Sequence, residues 1–177
     1  MYIGIDPDLH DLAIAVWDKG PVRAEVIHVQ RRKGVVAQKA VLEMVLAMKE
    51  CEFFSGRDYD IDLVAVEAQT LQRTGLKQHK RPQDIVTLGN VAGAALGFLT
   101  EHRYDVLFPT PEEWKGQIPK NVMQARLYDE LGWGYEMVGK EYARPVKIPS
   151  SFSNISAGQW KHVGDAILLA RWAFQQG

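Results

Sequence analysis

Residues 2–30, "YIGIDPDLHDLAIAVWDKGPVRAEVIHVQ", decide how the chain folds. "YIGID" (2–6) alternates, with Ile3 and Ile5 on one face and Gly4 and Asp6 on the other. "DLAIAVWD" (11–18) and "RAEVIHVQ" (23–30) carry further strand patterns, and "KGP" (19–21) between them is a natural turn. Links this short leave no room for a crossover, so the three strands are predicted to form an antiparallel meander.

The period then changes. From Val35 to Phe54 the spacing is helical, with Val41, Met44, Val45, Met48 and Phe53 in the expected rows. "DIDLVAVEA" (60–68) is a nearly continuous apolar run ending at Glu67, the pattern of a buried parallel strand. After a polar stretch at 69–82, a helix is predicted over 83–101, with Gly89, Gly93 and Gly97 at four-residue spacing. Glycine inside a helix costs stability, so a bare ridge argues for close packing against a sheet or a partner helix. "YDVLF" (104–108) reads as the fifth strand and 120–131 as a helix. The stretch 132–157 reads as a long irregular segment before the terminal helix. The order βββ-α-β-α-β-α-α predicts an α/β fold: a mixed five-stranded sheet, three antiparallel strands followed by parallel ones, flanked by helices. No repeat or linker divides the sequence, and residues 1–177 read as one domain.

Composition narrows the classes. A net charge of −1 offers no bulk argument for a nucleic-acid partner, so any such argument rests on where the charges sit. Cys51 is the single cysteine, which excludes an intrachain disulfide and a cysteine-only metal cluster and fits a reducing compartment. No basic segment leads into an apolar leader, and no window approaches the length of a membrane span. The expectation is a soluble cytoplasmic protein with no membrane partner.

In the terminal helix, "QWKHVGDAILLARW" (159–172) and the turn after it, Val163, Ala166, Ile167, Ala170 and Phe174 form an apolar stripe. Lys161, Gly164, Arg171 and Gln175 fall on the opposite face, with Leu168. His162 and Asp165 lie together on the flank, where a carboxylate has to be paired, hydrogen-bonded or bound to metal. Taken alone, a pairing with some Arg satisfies it. Asp6 ends the first strand and Glu67 the fourth, and in parallel neighbours both acids project at the sheet end where ligands bind in open α/β folds. Asp6 before Pro7 also fits a turn cap, and Glu67 fits a pair with Arg73 or Lys77. Jointly, however, three apolar elements each bring an acid to one sheet end. Carboxylates held close together repel unless a cation lies among them. Hard oxygen ligands with one imidazole suit Mg2+ or Mn2+, and two such ions can clamp both the attacking and the leaving oxygen of a phosphodiester.

In their order along the chain, these segments resemble the RuvC-type Holliday-junction resolvases of the RNase H-like superfamily, particularly small phage and bacterial members. "IGIDPD" is similar to the first-strand motif, "VAVEAQ" to the fourth-strand glutamate motif and "HVGDAILLA" to the terminal acidic helix. "DIVTLGNVAGAALGFL" resembles the glycine-bearing helix between them, and "PTPEEWKGQIPK" the segment before the penultimate helix. The resemblance implies an RNase H-like sheet with Asp6, Glu67, His162 and Asp165 as catalytic and metal-binding residues around two ions, Mg2+ or Mn2+. It makes Lys120 a catalytic support facing phosphate, with Lys115 beside it. Lys120 also opens a helix whose first amides attract phosphate. The implied activity is endonucleolytic resolution of four-way DNA junctions by a homodimer, leaving a 5′-phosphate and a 3′-hydroxyl. Two departures stand out. Asp8 occupies the place where the family usually has Gly, either altering that turn or adding an acid. The aromatic wedge that often follows the fourth-strand acid has no counterpart in "AQTLQ", where Leu71 is the apolar candidate for unstacking bases.

Charge placement fits that reading. "QTLQRTGLKQHKRPQ" (69–83) follows Glu67 and holds Arg73, Lys77, Lys80 and Arg81 without an acid, a local positive field for phosphates. "QRRK" (30–33) is a further basic run. The stretch 132–157 mixes Trp133, Tyr135, Tyr142 and Phe152 with Lys140, Arg144 and Lys147, and both stacking on unpaired bases and packing under the domain fit it. The glycine-ridged helix 83–101 is the candidate dimer surface. Alternatives are an RNase H-like nuclease acting on forks, flaps or RNA–DNA hybrids, and a catalytically inactive junction-binding protein. Clustered acids argue against the latter, since a phosphate-binding surface gains nothing from them. An actin-like nucleotide-binding protein would need a second lobe and further phosphate-binding glycines, which this sequence lacks.

Overall fold

The computed structural model describes residues 1–8, 11–28, 37–55, 60–68 and 82–177. Strands β1 (Tyr2–Pro7), β2 (Asp11–Trp17) and β3 (Pro21–His28) form the meander expected from residues 2–30. Helix α1 (Ala37–Glu50) and the single turn α2 (Glu52–Ser55) precede β4 (Leu63–Val66), which is followed by α3 (Pro82–Glu101) and the short β5 (Val106–Leu107). Then come α4 (Pro111–Lys115), α5 (Lys120–Glu130), a hairpin of β6 (Tyr135–Val138) and β7 (Tyr142–Pro145), two 3-10 turns, and α6 (Trp160–Gln176). The main sheet has the order β3-β2-β1-β4-β5, with β1 antiparallel to β2 and parallel to β4. This is the predicted mixed five-stranded sheet. Leu71, Arg73, Lys77, Lys80, Arg81 and the 30–33 run lie outside the described residues.

The two faces of the sheet differ in side-chain size, and period-two alternation is the cause. Ile3, Ile5, Leu12, Ile14, Val16, Val64 and Val66 point one way and pack with Met44, Met48, Val91, Phe98 and Leu99 of α1 and α3. Ala13, Ala15, Ala24 and Ala65 point the other way, into the cluster built on α6. Gly4 shares that small-residue face. A β-carbon built on Gly4 would lie 2.1 Å from the carbonyl oxygen of Ala166 and 2.4 Å from the amide nitrogen of Ala170. The α6 backbone therefore rests directly on β1.

Several local readings change. Leu168, expected on the solvated face, is buried, and so is Gly164. Helix α6 lies between the sheet and a second layer of α5 and β7, so it has no broad solvated side. Phe174 leaves the apolar stripe instead: it is 40% exposed and meets the Tyr2 ring edge-to-face at 5.2 Å. The stretch 132–157 holds the β6–β7 hairpin, turned at Gly139 with φ 60°. Trp133 and Phe152 stack into the core with Trp160 and Tyr128, so of the aromatics considered for base stacking Tyr135 is the exposed one. The predicted strand at 104–108 shrinks to Val106–Leu107, because only Val64 and Ala65 pair with it. Helix α4 adds a turn that hydrophobic spacing missed, although Thr110 and Glu113 form a capping box after which Pro111 starts the helix. The glycine ridge on α3 does not touch the sheet: among the described residues, no atom beyond the helix's own backbone and the neighbouring residues lies within 4 Å of a β-carbon built on Gly89, Gly93 or Gly97, and all three face solvent.

Opposite outcomes follow for glycine-to-alanine changes on β1 and α3. Gly4→Ala is expected to cost at least about 3 kcal/mol, because backbone rather than a movable side chain stands in the way. Gly93→Ala is expected to stabilise the isolated chain by about 0.5–1 kcal/mol through helix propensity. Urea titrations of both variants measure this, and a stable Gly4→Ala protein would contradict the described seating of α6.

Candidate active site

Register brings the first two acids together. Ile5 pairs with Val66 across parallel β1 and β4, and the Glu67 amide donates to the Ile5 carbonyl at 3.0 Å. Asp6 and Glu67 are thus neighbours at the strands' C-terminal ends, on the face covered by α6. The close seating of α6 on Gly4 delivers His162 and Asp165 above them. Asp6, Glu67 and Asp165 each offer a carboxylate oxygen within 4.8 Å of the others, and all three residues are buried.

The remaining partners are specific. His162 Nδ1 lies 2.9 Å from Asp6 Oδ2, while its Nε2 faces Asp8 Oδ2 at 3.3 Å as an ion-pair contact without good hydrogen-bond geometry. His162 thus leans on Asp6 and stands outside the trio of converging oxygens. Lys120, at the start of α5, pairs with Asp165 Oδ2 at 2.6 Å. Lys115 at the end of α4 lies over the Trp114 ring, and its charge reaches both Glu67 and Asp165. All the described candidates named from the sequence therefore gather at this one sheet end. Two residues escaped their full role. Asp8 adds an acid that faces His162. Gln124, fully buried on α5, donates to Asp165 Oδ1 at 2.9 Å; its sequence signal was a four-residue step from Lys120, the spacing that puts both on one helix face.

Burying this much charge has electrostatic consequences. Burial, reinforced by the neighbouring Asp6 carboxylate, pushes Glu67 up to about 9. Burial also raises Asp165, with Lys120 opposing it. At Asp6 burial acts upward too, but the His162 hydrogen bond and the Lys120 ammonium outweigh it and hold the carboxyl below its ordinary value. His162 is raised to about 9: burial acts downward, and the contacts with Asp6 and Asp8 overcome it. Without a metal, Glu67 therefore keeps its proton through the neutral range. A divalent cation can stand in for that proton, and an all-oxygen set of buried carboxylates is the donor chemistry that Mg2+ and Mn2+ prefer. The cluster can hold a metal ion.

Over 99% of its length the chain superposes on Thermus thermophilus RuvC in complex with a Holliday junction substrate, with a TM-score of 0.63, 18% identity and 94% of that chain covered. The fold is that of RuvC. A second Thermus thermophilus RuvC structure matches with a TM-score of 0.57 at 19% identity, covering 99% of this chain and 95% of that one. Fowlpox virus resolvase, in complex with its Holliday junction DNA substrate, matches over 100% of both chains with a TM-score of 0.51 and 10% identity. The sequence matches no protein-family model and no curated protein sequence. The chain thus shares the RuvC fold at low sequence identity, and the acidic cluster sits at the sheet end. No helix among the described residues is long and apolar enough to cross a membrane.

The site makes metal-free stability depend on pH. Glu67 and His162 hold protons in the fold after the unfolded chain, titrating near 4.5 and 6.5, has released them. Their contribution is therefore complete below those unfolded values and lost as pH rises through about 9. Thermal melting of metal-free protein is expected to fall across that window, and excess Mg2+ to flatten the fall by replacing the Glu67 proton. A melting temperature that rises between pH 6.5 and 9 without metal would refute this balance.

Proposed function

We propose that residues 1–177 form one nuclease domain that resolves four-way DNA junctions by metal-dependent phosphodiester hydrolysis. The carrying observation is the convergence of Asp6, Glu67 and Asp165 into a buried carboxylate cradle at the sheet end of a RuvC fold. Similarity to resolvases described with Holliday-junction DNA supports the substrate. Asp6, Glu67, Asp165 and His162 form the metal-binding set, for two Mg2+ or Mn2+ ions. Bound divalent ions supply Lewis acidity to the attacking and leaving oxygens.

The protein groups divide the remaining work. His162 holds Asp6 through Nδ1 and faces Asp8 through Nε2. Lys120 is partly exposed and pairs with Asp165, from where its ammonium can turn toward a phosphate; Lys115, whose charge reaches Glu67 and Asp165, supports the same phosphate. Hydrolysis leaves a 5′-phosphate and a 3′-hydroxyl. Arg73, Lys77, Lys80 and Arg81 neutralise the junction arms, with Leu71 as the wedge. Two cuts placed symmetrically require two sites, so the active species is a homodimer joined through the solvent-facing glycine ridge of α3. A junction-cutting enzyme of this kind acts in the cytoplasm of a bacterial or phage-infected cell.

A substrate panel tests this: a four-way junction, a fork, a flap, a linear duplex and an RNA–DNA hybrid, each with and without Mg2+. Paired nicks confined to the junction are expected. Asp6→Asn should lose more than about 100-fold in rate, beyond the loss typical of residues that only orient a metal ligand. Equal cutting of every substrate would overturn the resolvase reading, and cutting confined to hybrids would reassign the enzyme. Light scattering should give the mass of two chains with and without DNA, and a monomer throughout would remove the dimer.

A further inference from the structure

Gln124 is fully buried and lies outside the motifs quoted from the sequence. Its amide joins three elements. Oε1 accepts from the backbone N–H of Ala143 in β7 at 3.1 Å. Nε2 donates to the Lys161 carbonyl of α6 at 3.2 Å and to Asp165 Oδ1 at 2.9 Å. A backbone N–H can only donate, so the Ala143 contact leaves a single orientation for the amide. Turned over, the amide would set its oxygen against a carboxylate and a carbonyl and its NH2 against an N–H. The hairpin strand β7 thereby determines which atom faces Asp165.

The contact also depends on a missing side chain. A β-carbon on Gly164, the residue before Asp165, would lie 2.8 Å from Gln124 Nε2 and 2.5 Å from the hydroxyl of Tyr128. Lys120, Gln124 and Tyr128 are spaced by four along α5, so one helical ridge presents an ammonium, an amide and a phenol to the same stretch of α6.

Asp165 is held from two sides by groups of different charge. The Lys120 ammonium on Oδ2 competes with any cation entering the carboxylate trio, because like charges repel. The Gln124 amide on Oδ1 is neutral and does not compete. Lys120 has 29% of its side chain exposed and can leave; Gln124 has no such freedom. We infer that Gln124 is the positioning residue that keeps Asp165 aimed into the carboxylate trio when a metal ion enters, with its own orientation set by β7. This rests on the reading of that trio as a metal site.

Mn2+ binding followed by the loss of the free-ion electron paramagnetic resonance signal tests the inference independently of cleavage. Gln124→Met keeps the length of the side chain and removes the amide. It should bind Mn2+ roughly 10- to 100-fold more weakly, the range found when an outer partner of a metal ligand is removed. Its kcat at subsaturating Mn2+ should fall and recover at high Mn2+, while KM for junction DNA stays unchanged. A purely structural defect would not recover with metal. In the unmodified 15N-labelled protein, which needs no variant to fold, the Gln124 side-chain amide signals should resist solvent exchange and move during Mg2+ titration at the midpoint of binding. Wild-type Mn2+ affinity in Gln124→Met, or amide signals unmoved by Mg2+, would overturn the inference and leave the nuclease reading standing. Failure of the wild-type protein to bind Mn2+ would overturn both. Mn2+ binding that depends on Gln124 in a protein that cuts no junction would uphold the inference and sink the resolvase reading alone.

Discussion

Helix α6 rests on β1 at a distance that admits no β-carbon at Gly4, and the geometry of the site is inherited from that seating. Alanines at 13, 15, 24 and 65 extend the small-residue floor on which the helix settles. A larger residue at position 4 would lift α6, and with it His162 and Asp165, away from Asp6 and Glu67. Hydrogen bonds fail over a few tenths of an ångström, so the 2.9 Å contact between His162 and Asp6 needs a rigid, close platform. The opposite sheet face, filled by Ile, Leu and Val against α1 and α3, supplies that rigidity through ordinary apolar burial.

The site that results is electrostatically frustrated without a ligand. Asp6 is kept ionised by His162 and Lys120, while Glu67 is forced to keep a proton beside it. Such a cluster does not arise from a search for stability, since apolar residues would fill the same volume at lower cost. It is the pattern expected where folding energy stored elsewhere holds like charges together for chemistry. The cations around the rim, Lys115 and Lys120, temper the repulsion without occupying the centre.

Much of the fold was legible because its signals are local. Alternation at 2–6 told which face Asp6 shares with Gly4, and the apolar run before Glu67 told that its strand is buried and parallel. Those two facts alone place a pair of acids at one sheet end. Other features were hidden because they depend on residues far away in sequence. Leu168 read as solvated on a helix wheel, yet it is buried in the cluster that also holds Leu127 and Tyr128 of α5 and Ala143 of β7. Trp133 and Phe152 looked equally suited to nucleic acid and to core until their stacking with Trp160 put them inside. Gln124 carried no sign of its importance beyond its four-residue step from Lys120, because a buried amide is recognised only by what surrounds it.

The sequence by itself determined the order and faces of the strands and which carboxylates stand at their ends, since side-chain periodicity is set by backbone geometry within a few residues. Only the tertiary structure decided the distance between α6 and the sheet, the nitrogen that His162 turns toward Asp6, and the amide that steadies Asp165. Those depend on directional contacts between segments up to 156 residues apart, and no local pattern encodes an angle across such a separation.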